Sequence, residues 1–204
     1  GAEQARVEVA SRDRPGLLGA VSGVLAASGF DVVDASAATW PDGVAIESFR
    51  VRATDPASDA LAVIAGLEDA VADALRRPPV TDPAPDLEID FDEAGSPWHT
   101  LCEVRGEDRH GLLHMITVGF AAAGVTVQSA RIETHSGIAI DRFEVTDTEG
   151  RKLDAGREHE ARHAIWSGSG GSPSLRERVR RRFLPIGAAA TGARSSGAGA
   201  EAGR

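Results

Sequence analysis

The chain has 204 residues, 42% of them hydrophobic and 4% aromatic, and a formal net charge of −9 at pH 7. That is enough apolar material for one large core or two small ones, and the acidic balance argues against a nucleic-acid backbone as the main partner. A single cysteine, Cys102, leaves no disulfide framework within the chain and fits a reducing, cytoplasmic setting, while no apolar run reaches the roughly 18 residues of a membrane span.

In chain order the first element is a strand, because Val7-Glu8-Val9 alternates apolar and polar. A helix follows, with Leu17, Leu18, Val21 and Leu25 at helical spacing. Pro15 suits its first turn, where a missing N–H costs nothing, and Gly29 stands where a left-handed residue ends a helix. Residues 32–39 and 44–51 are strands flanking Pro41-Asp42-Gly43, a hairpin signal. A second helix is predicted to begin near Asp55-Pro56, an N-cap with a first-turn proline. It carries Leu61, Ile64, Leu67, Val71 and Leu75 as its apolar stripe and stops at Pro78-Pro79. Leu87, Ile89 and Phe91 then alternate as a fourth strand.

The series then starts again. Shifted by 95 positions, Asp13-Arg14-Pro15-Gly16-Leu17-Leu18 falls on Asp108-Arg109-His110-Gly111-Leu112-Leu113, and Gly29, Val32 and Ala35 fall on Gly124, Val127 and Ala130. After a one-residue deletion the match resumes, with Gly43, Ile46, Phe49 and Val51 on Gly137, Ile140, Phe143 and Val145. A match this long, ending in a matched hairpin, marks a duplication. In the second copy Cys102-Glu103-Val104 is the first strand, which makes Cys102 a small core residue in the place of Val7. Leu112, Leu113, Ile116 and Phe120 form the helix stripe, and Ser136-Gly137 is the hairpin turn. The second helix, roughly residues 154–166, has a poor apolar stripe. No convincing fourth strand follows it; Phe183-Leu184-Pro185-Ile186 is a weak candidate, since proline is confined mainly to sheet edges.

A βαββαβ order gives an α+β fold of two tandem ferredoxin-like modules, the second lacking its last strand. The expected division is a start at 1–5, a first module at 6–92, a linker at 93–97 and a second module at 98–166. A Ser/Gly/Ala/Arg segment at 167–204 is expected to be disordered. That segment holds 7 arginines against 2 glutamates, so residues 1–166 carry −14. The chain opens Gly1-Ala2-Glu3 and is expected to be a piece of a longer protein.

This order, with Asp-Arg-Pro-Gly-Leu-Leu between first strand and first helix, resembles the ACT domain, a small-molecule sensor usually fused to metabolic enzymes. Two copies in tandem resemble the C-terminal end of protein-PII uridylyltransferases. The second copy carries that likeness in Asp108-Arg109-His110-Gly111-Leu112-Leu113, Ile132-Glu133-Thr134, the Asp-x-Phe-x-Val-x-Asp run at 141–147, and Gly150-Arg151-Lys152-Leu153. His110 departs from the usual proline, the connection between residues 51 and 87 is short, and the Arg-rich tail is extra. The resemblance implies an amino acid, glutamine first, as ligand. It also implies upstream catalytic domains of the same protein and a PII protein as partners; separately, an open sheet face invites pairing into a homodimer. The resemblance gives this chain no cofactor of its own, the magnesium belonging to the catalytic part.

The same resemblance places ligand binding at Asp13, Arg14, Gly16 and Leu17, and at Asp108, Arg109, Gly111 and Leu112. The physical reason is the set of open N–H groups and the positive dipole end at a helix start, which attract a carboxylate. Two readings stand for each residue. Asp13 and Asp108 take an α-ammonium, or they cap the helix; Arg14 and Arg109 pair a carboxylate, or they sit in solvent. If Gly16 and Gly111 have helical dihedrals, alanine would be the more stable choice, so either ligand approach or tight packing favours the missing side chain.

Other motifs carry less. His159-Glu160-Ala161-Arg162-His163 matches the H-E-x-x-H zinc pattern, but on a short charged helix without a recognisable third ligand. His110 and His114 are spaced one turn apart near Asp108, which suits a metal or an ordinary helix start. Arg176-Glu177-Arg178-Val179-Arg180-Arg181-Arg182, with Leu175, Phe183 and Leu184, is a candidate basic amphipathic segment. Among other function classes, an RNA-recognition module shares this element order but stacks bases on sheet aromatics, and this chain has no tyrosine. A stand-alone enzyme would need an acid, base or nucleophile constellation, and none is recognisable. A differently fused ACT-type regulator and a pure dimerisation module remain as alternatives.

Overall fold

One face of each strand is apolar, and burying those faces under helices is what assembles the molecule. The computed structural model describes residues 4–54, 58–77 and 79–168. It contains β1 (Gln4–Arg12), α1 (Leu17–Ala27), β2 (Phe30–Thr39), β3 (Val44–Ala53), α2 (Ala60–Arg76) and β4 (Glu88–Asp92). The second half holds β5 (Thr100–Glu107), α3 (Leu112–Ala122), β6 (Val125–His135), β7 (Ile138–Asp147) and α4 (Ala155–Ser167). Val7, Ala35, Phe49, Val51, Val104, Ile132, Phe143 and Val145 join the helix residues Val21, Leu25, Ile116, Phe120, Val71 and Ile165 in one core. The opposite face of the sheet exposes Ile46 and Ile138 among charged residues such as Arg50 and Arg142.

The strands form a single antiparallel sheet in the order β1-β3-β2-β6-β7-β5-β4. Its centre is the β2–β6 pair, where Ser36 lies opposite Arg131, its own counterpart at a spacing of 95. A local dyad therefore passes through that pair, and the two copies are joined edge to edge about it. Both central strands carry a β-bulge at equivalent places, Val33 in β2 and Gln128 in β6, which sharpens their twist next to the join. The hairpin predicted at Ser136-Gly137 is a two-residue turn with φ of 52° and 80°. That positive-φ pair has the twist that matches two right-handed strands.

The expected module boundary does not hold at β4. Instead of closing the first copy beside β1, β4 pairs with β5 of the second copy, Ile89 opposite Val104 and Phe91 opposite Cys102. It thus fills the place of the missing fourth strand, and β1 is left as the sheet edge. Local contacts explain the choice. Trp166 Nε1 donates to Leu87 O at 2.9 Å and Arg162 Nε to Ile89 O at 3.2 Å, and the Arg162 guanidinium lies 5.2 Å from the Phe91 ring centre. The weak stripe of α4 thus reduces to Ala161 and Ile165, with hydrogen bonds to β4 adding to its hold.

One smaller boundary also moves. The N-cap of α2 is Asp59, whose carboxylate accepts from Leu61 N and Ala62 N; Asp55-Pro56 and Pro78 lie outside the described residues. So do residues 175–186 with their candidate strand and basic segment. None of the described helices is long and apolar enough to cross a membrane.

Candidate functional site: twin clefts at the join

Because the copies meet at β2–β6, each loop before a first helix faces the beginning of the other copy's central strand. Two small solvent-open clefts result, with cavity volumes of about 40 and 20 Å³. The first is bounded by residues 13–19, Thr39 and Glu47, and across the join by Thr117, Ala121 and residues 125–128. The second has the equivalent walls: Asp108, Arg109, Thr134 and Asp141, with Ser22, Ala26 and residues 30–32 from the other copy. All eight residues expected at the site line these clefts.

The aspartates do not cap the helices. The N-caps are Gly16 and Gly111, with no side-chain cap bond. Asp13 is held from its own strand ends: its N–H donates to Gly43 O at 2.9 Å, and its Oδ2 accepts from Thr39 Oγ1 at 2.9 Å. Asp108 repeats this, with its N–H on Gly137 O at 2.9 Å and its carboxylate bonded by Thr134. Each acid is therefore tied to the ends of its own copy's hairpin strands.

The condition set on the glycines also fails. Gly16 has φ +83° and Gly111 φ +75°, a left-handed conformation that glycine adopts without a Cβ penalty. The backbone itself thus accounts for glycine at both places, without a ligand. Leu17 and Leu112 are buried in the core and contribute the cleft floors.

The two arginines part company. Arg14 is exposed. Arg109 reaches Asp86 on the segment leading into β4, with Nη1 2.6 Å from Oδ2, and that bond holds the Asp86 carboxyl below its usual range. Its Nη2 is buried without a partner.

Two further residues, one per copy, were missed. Glu47 on β3 is 3% exposed, Asp141 on β7 is 1% exposed, and each has a buried carboxylate oxygen without a hydrogen-bond partner. Burial, then the neighbouring Asp13, pushes the Glu47 carboxyl up to about 7. Burial, then Asp108, does the same to Asp141, to about 7, against a weaker opposing bond from the Glu133 N–H. Asp108 itself is raised by burial and by Asp31. The signal was present in the sequence: an acid stands at the same inward position of the third strand in both copies, between Ala45 and Phe49 and between Ala139 and Phe143. Unpaired buried acids are rare enough to point at function.

The histidines serve the join. His114 Nδ1 is 2.7 Å from Gly19 O and His110 Nε2 is 2.9 Å from Ala26 O, both across the α1–α3 crossing. On α4, Glu160 pairs with Arg157, and His163 lies 3.3 Å from Ser167 Oγ. Among the described residues no group of three or more His, Cys, Asp or Glu is placed to hold a metal. Cys102 is buried, and that burial raises its thiol far above the ordinary range.

The fold is that of two tandem ferredoxin-like modules, and residues 5–67, in the first of them, match the ACT domain profile. Among known proteins, the chain is similar to bifunctional uridylyltransferase/uridylyl-removing enzymes. The identity is 32% over 160 residues with that of Gluconobacter oxydans, covering 69% of this chain and 17% of the relative. With that of Caulobacter vibrioides it is 33% over 172 residues, 75% of this chain and 18% of the relative. The chain thus spans less than a fifth of the length of these relatives. A solved structure of an unknown protein from Galdieria sulphuraria aligns over 90% of this chain and 94% of its own, with 19% identity and a TM-score of 0.30.

Proposed function

We propose that this chain is the amino-acid-sensing region of a bifunctional uridylyltransferase/uridylyl-removing enzyme acting on a PII protein, with glutamine as its ligand. The observation that carries the reading is the composition of the clefts: each is walled by both copies, across the join. A ligand seated there touches the loop of one copy and the central strand of the other. Its contacts differ between two settings of the copies, which is the requirement for a ligand to shift a conformational equilibrium. Upstream catalytic domains fused to this pair would read that shift. Any magnesium belongs with those domains. The similarity to the uridylyltransferase relatives supports the choice of parent, and an ACT regulator fused to another enzyme is the second reading.

Thermal denaturation of the chain with each of the twenty amino acids at millimolar concentration tests the proposal. A ligand at 100 times its dissociation constant adds about 2.7 kcal/mol, which raises the melting temperature of a fold this size by roughly 5–10 °C. Glutamine is expected to give the largest shift. A larger shift with another amino acid favours the differently fused regulator, and no shift with any of the twenty overturns the sensor.

A further inference from the structure

The two clefts are related by the dyad but are not chemically alike. Both contain a buried, unpartnered carboxylate oxygen, on Glu47 in one and on Asp141 in the other. Only the second also contains a buried, unpartnered cationic donor, Arg109 Nη2. The difference traces to the path of β4. The segment crossing from α2 to β4 brings Asp86 to the second cleft, where it grips Arg109 Nη1 at 2.6 Å and holds the guanidinium partly inside. Arg14, in the equivalent place of the first copy, is exposed.

Resting on the sensor reading, we infer that the second cleft is a zwitterion site in which Asp141 receives the α-ammonium of an amino acid and Arg109 Nη2 its α-carboxylate, while the first cleft binds an ammonium alone and more weakly. The two orphaned groups line one cleft, are not bonded to each other, and carry opposite charge when Asp141 is ionised. A single molecule bearing both charges satisfies both. Leaving a buried charged group without a partner is costly, so a ligand that supplies the partners gains what the empty fold forgoes. The charged groups around Asp141 fit a cation: Asp108 adds a second acid from the helix-start loop, and Asp31 of β2 already has Arg52 at 2.8 Å. An Arg fork with one arm anchored presents its free arm in a fixed direction, which suits a planar carboxylate.

Calorimetric titration of the full chain tests this. The probes are the amino acid that binds tightest in the twenty-member screen, glutamine in the first instance, and two truncated forms of it. One lacks the α-ammonium (for glutamine, 5-amino-5-oxopentanoate) and the other lacks the α-carboxylate (4-aminobutanamide). Both truncated forms are expected to bind the unaltered chain at least about tenfold more weakly. Asp141→Asn weakens the intact amino acid at least tenfold and leaves the form without ammonium unchanged. Arg109→Gln weakens the intact amino acid and leaves the form without carboxylate unchanged. Glu47→Gln affects only the weaker binding step. A fold defect is separated by melting at pH 8, where Asp141→Asn is expected to hold or raise the melting temperature because it removes a buried ionised acid. The assignment is overturned if Asp141→Asn binds the intact amino acid within threefold of the parent, if it loses affinity for the ammonium-free form equally, or if Glu47→Gln removes the tighter step. Failure of all twenty amino acids to bind the unaltered chain overturns the sensor reading and this assignment with it; binding that ignores Asp141 overturns the assignment alone.

Discussion

At Gly16 and Gly111 the left-handed backbone, not the surrounding space, excludes a side chain. A Cβ there would meet only Leu75 Cδ2 at 3.8 Å or Ala26 Cβ at 3.9 Å, both ordinary contacts. Alanine therefore costs the left-handed dihedral penalty of about 1–2 kcal/mol, and Gly111→Asn costs less, since Asn tolerates that conformation better. Denaturant melts of Gly111→Ala and Gly111→Asn check this order; equal stability of alanine and glycine would contradict it. The buried acids make a second residue-scale prediction, a pH dependence with a defined sign. Glu47 and Asp141 titrate near 7 in the fold, against ordinary values of 4.5 and 3.8. The folded state holds their protons where the unfolded chain has lost them. Their contribution is thus fully present below the ordinary values and is lost as pH rises to about 7. The ligand-free melting temperature should fall between pH 5 and pH 8, by on the order of a few kcal/mol in stability at about 1.4 kcal/mol per pKa unit. Glu47→Gln and Asp141→Asn should each flatten the profile. A profile unchanged by both substitutions would show that these carboxyls titrate normally. Repetition of the Asp-Arg-x-Gly-Leu-Leu motif made these loops legible in the sequence. The paired inward acids were legible too, but an acid within an alternating strand reads as an outward residue until its register is known.

At the scale of elements, the α1–α3 crossing depends on a size difference between the copies. Gly19 of α1 has His114 as its counterpart in α3, and the His114 ring fills the space beside Gly23, where a Cβ would lie 2.6 Å from ring atoms. The ring cannot simply swing away, because its Nδ1 is bonded to Gly19 O. Gly23→Ala is expected to cost about 1–3 kcal/mol by overpacking. Most of that cost should disappear in a His114→Ala background, giving a coupling above about 0.5 kcal/mol in a double-mutant cycle. Additive effects would mean that the helices do not meet there. Periodicity placed α1 and α3 correctly, but a pattern of apolar residues says which face is buried and not which neighbour buries it. The same limit hid the pairing of β4. Its Ile89 alternation fits the edge beside β1 or beside β5 equally, and the deciding contacts come from Arg162 and Trp166, about seventy residues later.

Over the whole molecule, duplication and fusion have placed two like units in one sheet, with β2 and β6 covering each other's edges. An edge paired in this way is protected from other partners. It also makes the clefts common property, since neither copy alone has both walls. The repeat predicted two modules, and the two are present, but a period in sequence carries no information on whether the units sit apart or share a sheet. Sharing is set by the Ser36–Arg131 register of the central pair and by the exchange of β4. A ligand bound across this join would touch both walls at once, which hydrogen exchange of the chain with and without saturating glutamine can read. Added protection is expected in the loops at 13–19 and 108–114 together with the opposing strand starts at 125–128 and 30–32. Binding of glutamine with protection confined to one copy's loop, or to the outer face of the sheet, would contradict that expectation.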